Sequence, residues 1–101
     1  MNQLLIQFPI KREKKETWVS LLKSDSGLPY TKSMKGFISA EHGFSNNENT
    51  GLTWHLWEKW ETKEDYLNYD ASPKRREGSK FMDIVIDCLD GEPTEIWIDL
   101  L

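Results

Sequence analysis

Cysteine occurs once, as Cys88, so no disulfide can form within the chain and a packed core must hold the fold. No apolar run approaches the roughly 20 residues that cross a bilayer as a helix, which excludes a membrane-spanning helix. Positive charge is in deficit: 13 Lys and Arg against 17 Asp and Glu leave −4, too little for the basic face that a nucleic-acid partner requires. Histidine is confined to His42 and His55, and there is no CxxC, no HExxH and no glycine-rich phosphate loop. The sequence therefore carries none of the usual catalytic constellations and predicts no metal. Met1-Asn2-Gln3 lacks the charged and apolar regions of a signal peptide, and with the lone cysteine this predicts a cytoplasmic setting.

What the chain has instead is aromatic bulk. Five tryptophans among 101 residues supply large side chains for one core, so residues 1–101 read as a single domain. Leu4 to Ile10 is short, apolar and β-prone, with Pro9 expected to close its ladder for want of a backbone donor. From Arg12 to Lys23, Trp18, Leu21 and Leu22 recur at helical spacing among charges. Pro29 either opens a further helical turn or sits in an ordered loop that brings Tyr30 and Met34 against the core, with the helical turn favoured. Phe37 to Phe44 and Leu52 to Trp60 read as strands around a turn at Ser45 to Gly51. Thr62 caps a helix carrying Tyr66 and Tyr69, and Ser72-Pro73 signals another helix leading into Phe81, Ile84, Val85 and Cys88. Thr94 to Leu100 alternates as a last strand.

The order strand, helix, strand, strand, helix, strand is that of an α+β, ferredoxin-like βαββαβ unit with a four-stranded antiparallel sheet. Alternation places Leu52, Trp54, Leu56, Glu58 and Trp60 on one face of the third strand and Thr53, His55, Trp57 and Lys59 on the other. Both faces carry tryptophan. One layer of helices covers only one of them, so the His55 and Trp57 face predicts a homodimer.

Chemistry-bearing residues are few. The basic clusters Lys11 to Lys15 and Lys74 to Arg76 lie beside acids and read as solvated helix faces. His42 and His55 face each other only if they share a side of the hairpin, and neither glutamate neighbour, Glu41 or Glu58, shares a face with its histidine. Glu58, Asp65 and Asp83 show no partner of the kind that shifts a pKa, and Cys88 reads as a small core residue. Trp60 at a strand end and Tyr66 in the next helix would meet at the sheet rim, where they either wall an apolar cavity or simply pack a corner.

The order of elements, the stretch Gly36-Phe37-Ile38 and the stretch Trp60-Glu61-Thr62-Lys63-Glu64-Asp65-Tyr66 resemble the antibiotic biosynthesis monooxygenase group of dimeric α+β barrel proteins. The resemblance implies a homodimer with sheets face to face and a pocket between sheet and helices in each protomer. Some relatives there oxidise polycyclic aromatic compounds with dioxygen and no flavin, metal or haem, and their strand tryptophan and helix tyrosine match Trp60 and Tyr66. On that model Trp60 and Trp54 stack on a flat ring while Tyr66, Tyr30 or Tyr69 donates a hydrogen bond to a substrate oxygen. Leu56 stands where active relatives carry an asparagine, and Ser72 to Leu89 holds none of the histidine that haem degradation needs. The implied function is a cofactor-independent monooxygenase-like protein acting on a small aromatic or quinone-like compound. The alternative is a noncatalytic ligand-binding or stress-response protein of the same fold, with a filled structural dimer as a third reading.

Overall fold

The computed structural model describes residues 1–101. Its strands are β1 (Asn2–Ile10), β2 (Phe37–Asn47), β3 (Gly51–Trp60) and β4 (Thr94–Asp99). Its helices are α1 (Lys15–Lys23), α2 (Leu28–Lys32), α3 (Lys63–Asp70) and α4 (Lys80–Cys88). The sheet order is β2-β3-β1-β4 with every pairing antiparallel, the ferredoxin-like α+β topology.

β3 and β1 are central, and their register sets the core. Trp54 pairs with Phe8, Leu56 with Ile6 and Glu58 with Leu4, so one face carries all the large inward side chains. Trp18, Leu21 and Leu22 of α1 and Val85 and Cys88 of α4 close over that face. Burying such side chains contributes about 1.5–3 kcal/mol each and is the main drive for docking the helices. The opposite face has no covering layer: Trp57 is 43% exposed, and Ile96 and Ile98 of β4 are exposed beside it.

Pro9 does not end β1, which runs on to Ile10 paired with Leu52. β4 pairs only as far as Gln7, so at Pro9 the strand is paired on one side and its missing N–H interrupts nothing on the other. The turn expected at Ser45 to Gly51 is shorter, because Ser45, Asn46 and Asn47 pair with Thr53, Leu52 and Gly51. Asn47 Oδ1 accepts from the backbone N–H of Asn49 at 2.8 Å, and Gly51 takes the positive φ of 82° that closes the hairpin. Residues 12–14 form a 3₁₀ turn ahead of α1.

The largest departure from the sequence reading is at Ser72. Arg75 and Arg76 N–H groups bond Ser72 O, but the single turn stops, Gly78 adopts φ 86°, and α4 starts only at Lys80. Its cap is Ser79, whose Oγ accepts from Met82 N–H at 3.1 Å. The break turns Arg75 inward, where it is buried, whereas the sequence placed it on a solvated helix face.

Candidate functional site

The two stretches that carry the family resemblance meet in space. Phe37 pairs with Trp60 across β2 and β3, and their rings pack edge to face at 5.6 Å. Gly36 has φ 85°, and a Cβ there would strike the Asp65 carboxyl, so the loop before β2 presses directly on the first turn of α3. That turn is fixed by Thr62, whose Oγ1 accepts from Asp65 N–H at 3.0 Å and donates to Asp65 Oδ2 at 2.9 Å. Tyr66 and Tyr69 are thereby aimed at the sheet.

Between the sheet and the helices lies a cavity of about 250 Å³. Its apolar end is walled by Phe8, Trp18 and Trp54, three rings whose centroids lie 5.4–5.5 Å apart. Trp54 is held by its indole N–H, which donates to His42 Nδ1 at 3.1 Å. Ile6 and Leu56 form the sheet floor, and Phe81, Met82 and Val85 face them from α4. Glu58, Tyr66, Tyr69 and Arg75 gather at the other end, with Asp70 and Glu95 exposed at the mouth.

Glu58 is 2% exposed, and Trp60 Nε1–H donates to its Oε1 at 3.2 Å. Oε2 has no partner within the chain. Burial pushes the carboxyl up to about 7, against the Trp60 hydrogen bond and the Arg75 charge, both of which favour the anion. The sequence reading that Glu58 has no perturbing environment is therefore corrected. The same-face alternation with Trp54, Leu56 and Trp60 was its signal: a charged residue on the apolar face of a central strand must be buried.

Arg75 is the second residue the sequence reading missed. Its Nε–H donates to Tyr69 Oη at 2.6 Å and its Nη2 to Gly27 O at 3.0 Å, while the guanidinium lies 3.7 Å from the Phe81 ring centre. Tyr69 Oη also meets Thr31 Oγ1 at 2.7 Å, so this hydroxyl is fully engaged. Tyr66 differs: its hydroxyl makes no hydrogen bond within the chain. Burial, and after it the negative charges of Asp70, Glu58 and Glu95, hold its pKa above the ordinary tyrosine value. It stays a hydrogen-bond donor at any physiological pH.

Of the residues singled out from sequence, Trp54, Leu56, Tyr66 and Tyr69 line the cavity. Trp60 and Tyr30 do not, which corrects their placement as pocket walls. Trp60 is fully buried behind the wall, edge-on to Tyr66 at 5.6 Å and stacked on Tyr69 at 5.3 Å, because the close docking of Gly36 and Phe37 fills the space around it. Tyr30 packs outside Tyr69 at 6.1 Å, beneath the Arg75 guanidinium. His55 and Trp57 lie on the uncovered sheet face, where the rings stack and His55 Nε2 meets Ser45 Oγ at 2.7 Å. His42 is on the other face, so the histidines never meet, and no group of three His, Cys, Asp or Glu side chains is placed to hold a metal. No helix is long and apolar enough to cross a membrane.

No protein-family model matches the chain, and no curated protein does. Solved structures do. A Nitrosomonas europaea protein provisionally named an antibiotic biosynthesis monooxygenase superposes with a TM-score of 0.80 at 15% identity, over 100% of this chain and 99% of that one. A Streptomyces coelicolor monooxygenase from the gene ActVA-Orf6, solved in complex with nanaomycin D, gives 0.74 at 18% identity over 99% and 87%. A conserved Methanosarcina mazei protein gives 0.74 at 18% identity over 96% and 89%. The chain has the ferredoxin-like α+β fold of the antibiotic biosynthesis monooxygenases.

Proposed function

We propose that the cavity binds a small, flat aromatic or quinone-like compound and that the chain acts on it as a cofactor-independent monooxygenase. The observation that carries this reading is the cavity itself: aromatic rings at one end, and at the other a buried carboxyl and the unengaged Tyr66 hydroxyl. At about 250 Å³ it lies just below the usual range for small-molecule sites, about 300–1,000 Å³, which suits two fused rings better than four. The fold shared with a monooxygenase solved with nanaomycin D supports the aromatic class.

The chemistry asks little of the protein. A ring carbon bearing two hydrogens loses one as a proton, and the electron-rich anion then reduces dioxygen. Recombination gives a peroxide that loses water, so that CH₂ and O₂ become C=O and H₂O. Dioxygen is the oxidant and the substrate the reductant, leaving the chain to bind, exclude water and move protons. Tyr66 would donate to the oxygen on which negative charge develops, and Trp54 would stack on the ring.

A second reading, noncatalytic ligand binding, is favoured by Leu56. It makes the cavity floor apolar where the resemblance leads one to expect an amide. Tryptophan fluorescence titrated with naphthols, anthrones and naphthoquinones, with oxygen uptake followed in the same samples, separates the two. Quenching with uptake supports the oxygenase, and quenching without it supports the binding protein. No quenching by any of them removes both.

The uncovered sheet face supports a homodimer. Leu5, Trp57, Ile96 and Ile98 lie on adjacent strands β3, β1 and β4 and form one apolar patch, with His55 beside them. Trp57→Glu is expected to give monomer by light scattering; a normal dimer would rule out this face.

A further inference from the structure

We propose that Glu58 is the catalytic proton acceptor of this cavity, taking a proton from an acidic C–H or ring hydroxyl of the bound compound through its free oxygen, Oε2. The assignment rests on the reading above that the cavity takes an aromatic ligand, and names the residue that would act on it.

Three carboxylates line the cavity, and burial separates them: Glu58 on β3 is 2% exposed, whereas Asp70 on α3 and Glu95, paired with Ile6 from β4, are exposed at the mouth. Trp60 fixes Oε1, which sets the rotamer and leaves Oε2 without a protein partner. An unpaired carboxylate oxygen in such surroundings costs free energy until something donates to it, so a ligand that brings an acidic hydrogen gains where an inert ring does not.

The other buried titratable groups at this end are donors. Arg75 cannot lose its proton, Tyr69 is bonded to both Arg75 and Thr31, and Tyr66 holds its proton more firmly than a free tyrosine. Tyr66 is therefore suited to stabilise the enolate that Glu58 creates, the acceptor and donor sharing one end of the cavity. A carboxyl that titrates near neutrality is matched to this task.

The step can be tested without dioxygen. 2-Tetralone is a bicyclic ketone with acidic protons at C1. A base breaks one C1–H bond and takes the proton, the electron pair moves into the enolate, and in deuterium oxide a deuteron returns to carbon. Proton NMR under argon follows the loss of the C1 signal, while tryptophan fluorescence on the same samples reports binding. The wild-type chain is expected to accelerate exchange at least about a hundredfold over Glu58→Gln, the lower end of what a positioned general base gives, with binding preserved. Saturating naphthalene, which fills the cavity but has no acidic hydrogen, is expected to abolish the wild-type acceleration.

Equal rates in wild type and Glu58→Gln overturn the assignment. So does wild-type exchange that naphthalene does not suppress, a test that stands even if the variant fails to fold. Binding without exchange by wild type overturns Glu58 as the base but leaves the cavity as a ligand site. Absence of binding overturns both readings.

Discussion

The two ends of the cavity are built from the same strands yet solve opposite problems. At the apolar end, Phe8, Trp18 and Trp54 lean on one another, and the only polar link to the wall is the Trp54 N–H to His42 near the sheet edge. About 13 Å further along β3, four residues at strand spacing, Glu58 sits in equally dry surroundings with a charge to dispose of. The first end is stabilised mainly by burial. The second depends on a set of hydrogen bonds in which Arg75, Tyr69 and Thr31 are fully used while Glu58 Oε2 and the Tyr66 hydroxyl are not. The apolar end has its own unpartnered group, the buried Trp18 indole N–H, so the difference between the ends is one of charge: only the polar end leaves a carboxylate oxygen and a hydroxyl free for a ligand.

That contrast is broken most severely at Arg75. Replacing it with Met keeps the stem but leaves Gly27 O without its guanidinium donor and removes the positive charge facing Glu58. The expected loss is about 3 kcal/mol of unfolding free energy, within the range for breaking buried charged networks, measured by urea denaturation. A loss under about 1 kcal/mol would show that the polar end is no more demanding than the apolar one.

Glu58→Gln sharpens the comparison through pH. In the native chain the carboxyl titrates at about 7, above its unfolded value of 4.5, so the folded state holds a proton that the unfolded state has already released. Stability is fully present below pH 4.5 and declines as pH rises to about 7, after which this contribution is flat. A shift of that size corresponds to about 3 kcal/mol across the window. The glutamine variant is expected to lose this slope and to equal or exceed wild type at pH 8. Parallel pH–stability curves for the two proteins would mean that Glu58 is hydrated.

The apolar end was legible in the sequence because it obeys periodicity. Alternation along β3 placed Leu52, Trp54, Leu56, Glu58 and Trp60 together, and helical spacing placed Trp18, Leu21 and Leu22 against them. The polar end was only half legible. Arg75 looks like surface because Ser72-Pro73 resembles a helix start, whereas the chain makes one turn, passes through Gly78 at positive φ before α4 begins, and the arginine is held inward by Tyr69, Gly27 and Thr31. Glu58 was placed on the right face, yet its environment depends on Trp60 and on Arg75, which no local pattern connects. For Trp60 the sequence leaves wall and corner packing open, and the docking of Gly36 against Asp65, a contact 29 positions apart in sequence, decides for the corner, one layer behind the cavity.

A smaller effect is expected at Trp54→Phe, which keeps a ring in the aromatic triangle but deletes the N–H that meets His42 Nδ1. One hydrogen bond to a residue that water can reach is worth about 1 kcal/mol. Thermal denaturation is expected to show that modest loss, together with weaker ligand quenching, since this indole faces the cavity. A loss above about 3 kcal/mol would mean that the apolar end is as tightly specified as the polar one.

The smallest effect on stability is expected at Tyr66→Phe, and its smallness is what makes it informative. The hydroxyl has no partner in the folded chain, so removing it breaks nothing, and the ring keeps its edge-to-face contacts with Trp60 at 5.6 Å and Trp97 at 5.1 Å. Unfolding free energy is expected to change by less than about 0.5 kcal/mol, as for substitutions that leave packing and hydrogen bonding intact. If the hydroxyl serves a bound compound, its loss appears only with ligand present, as a drop of about tenfold in affinity for quinones or in turnover, the worth of one well-placed hydrogen bond. Unchanged affinity and turnover would remove Tyr66 from the site. A large loss of stability without ligand would instead show that the hydroxyl is engaged inside the protein, making this corner of the cavity as closed as the apolar end.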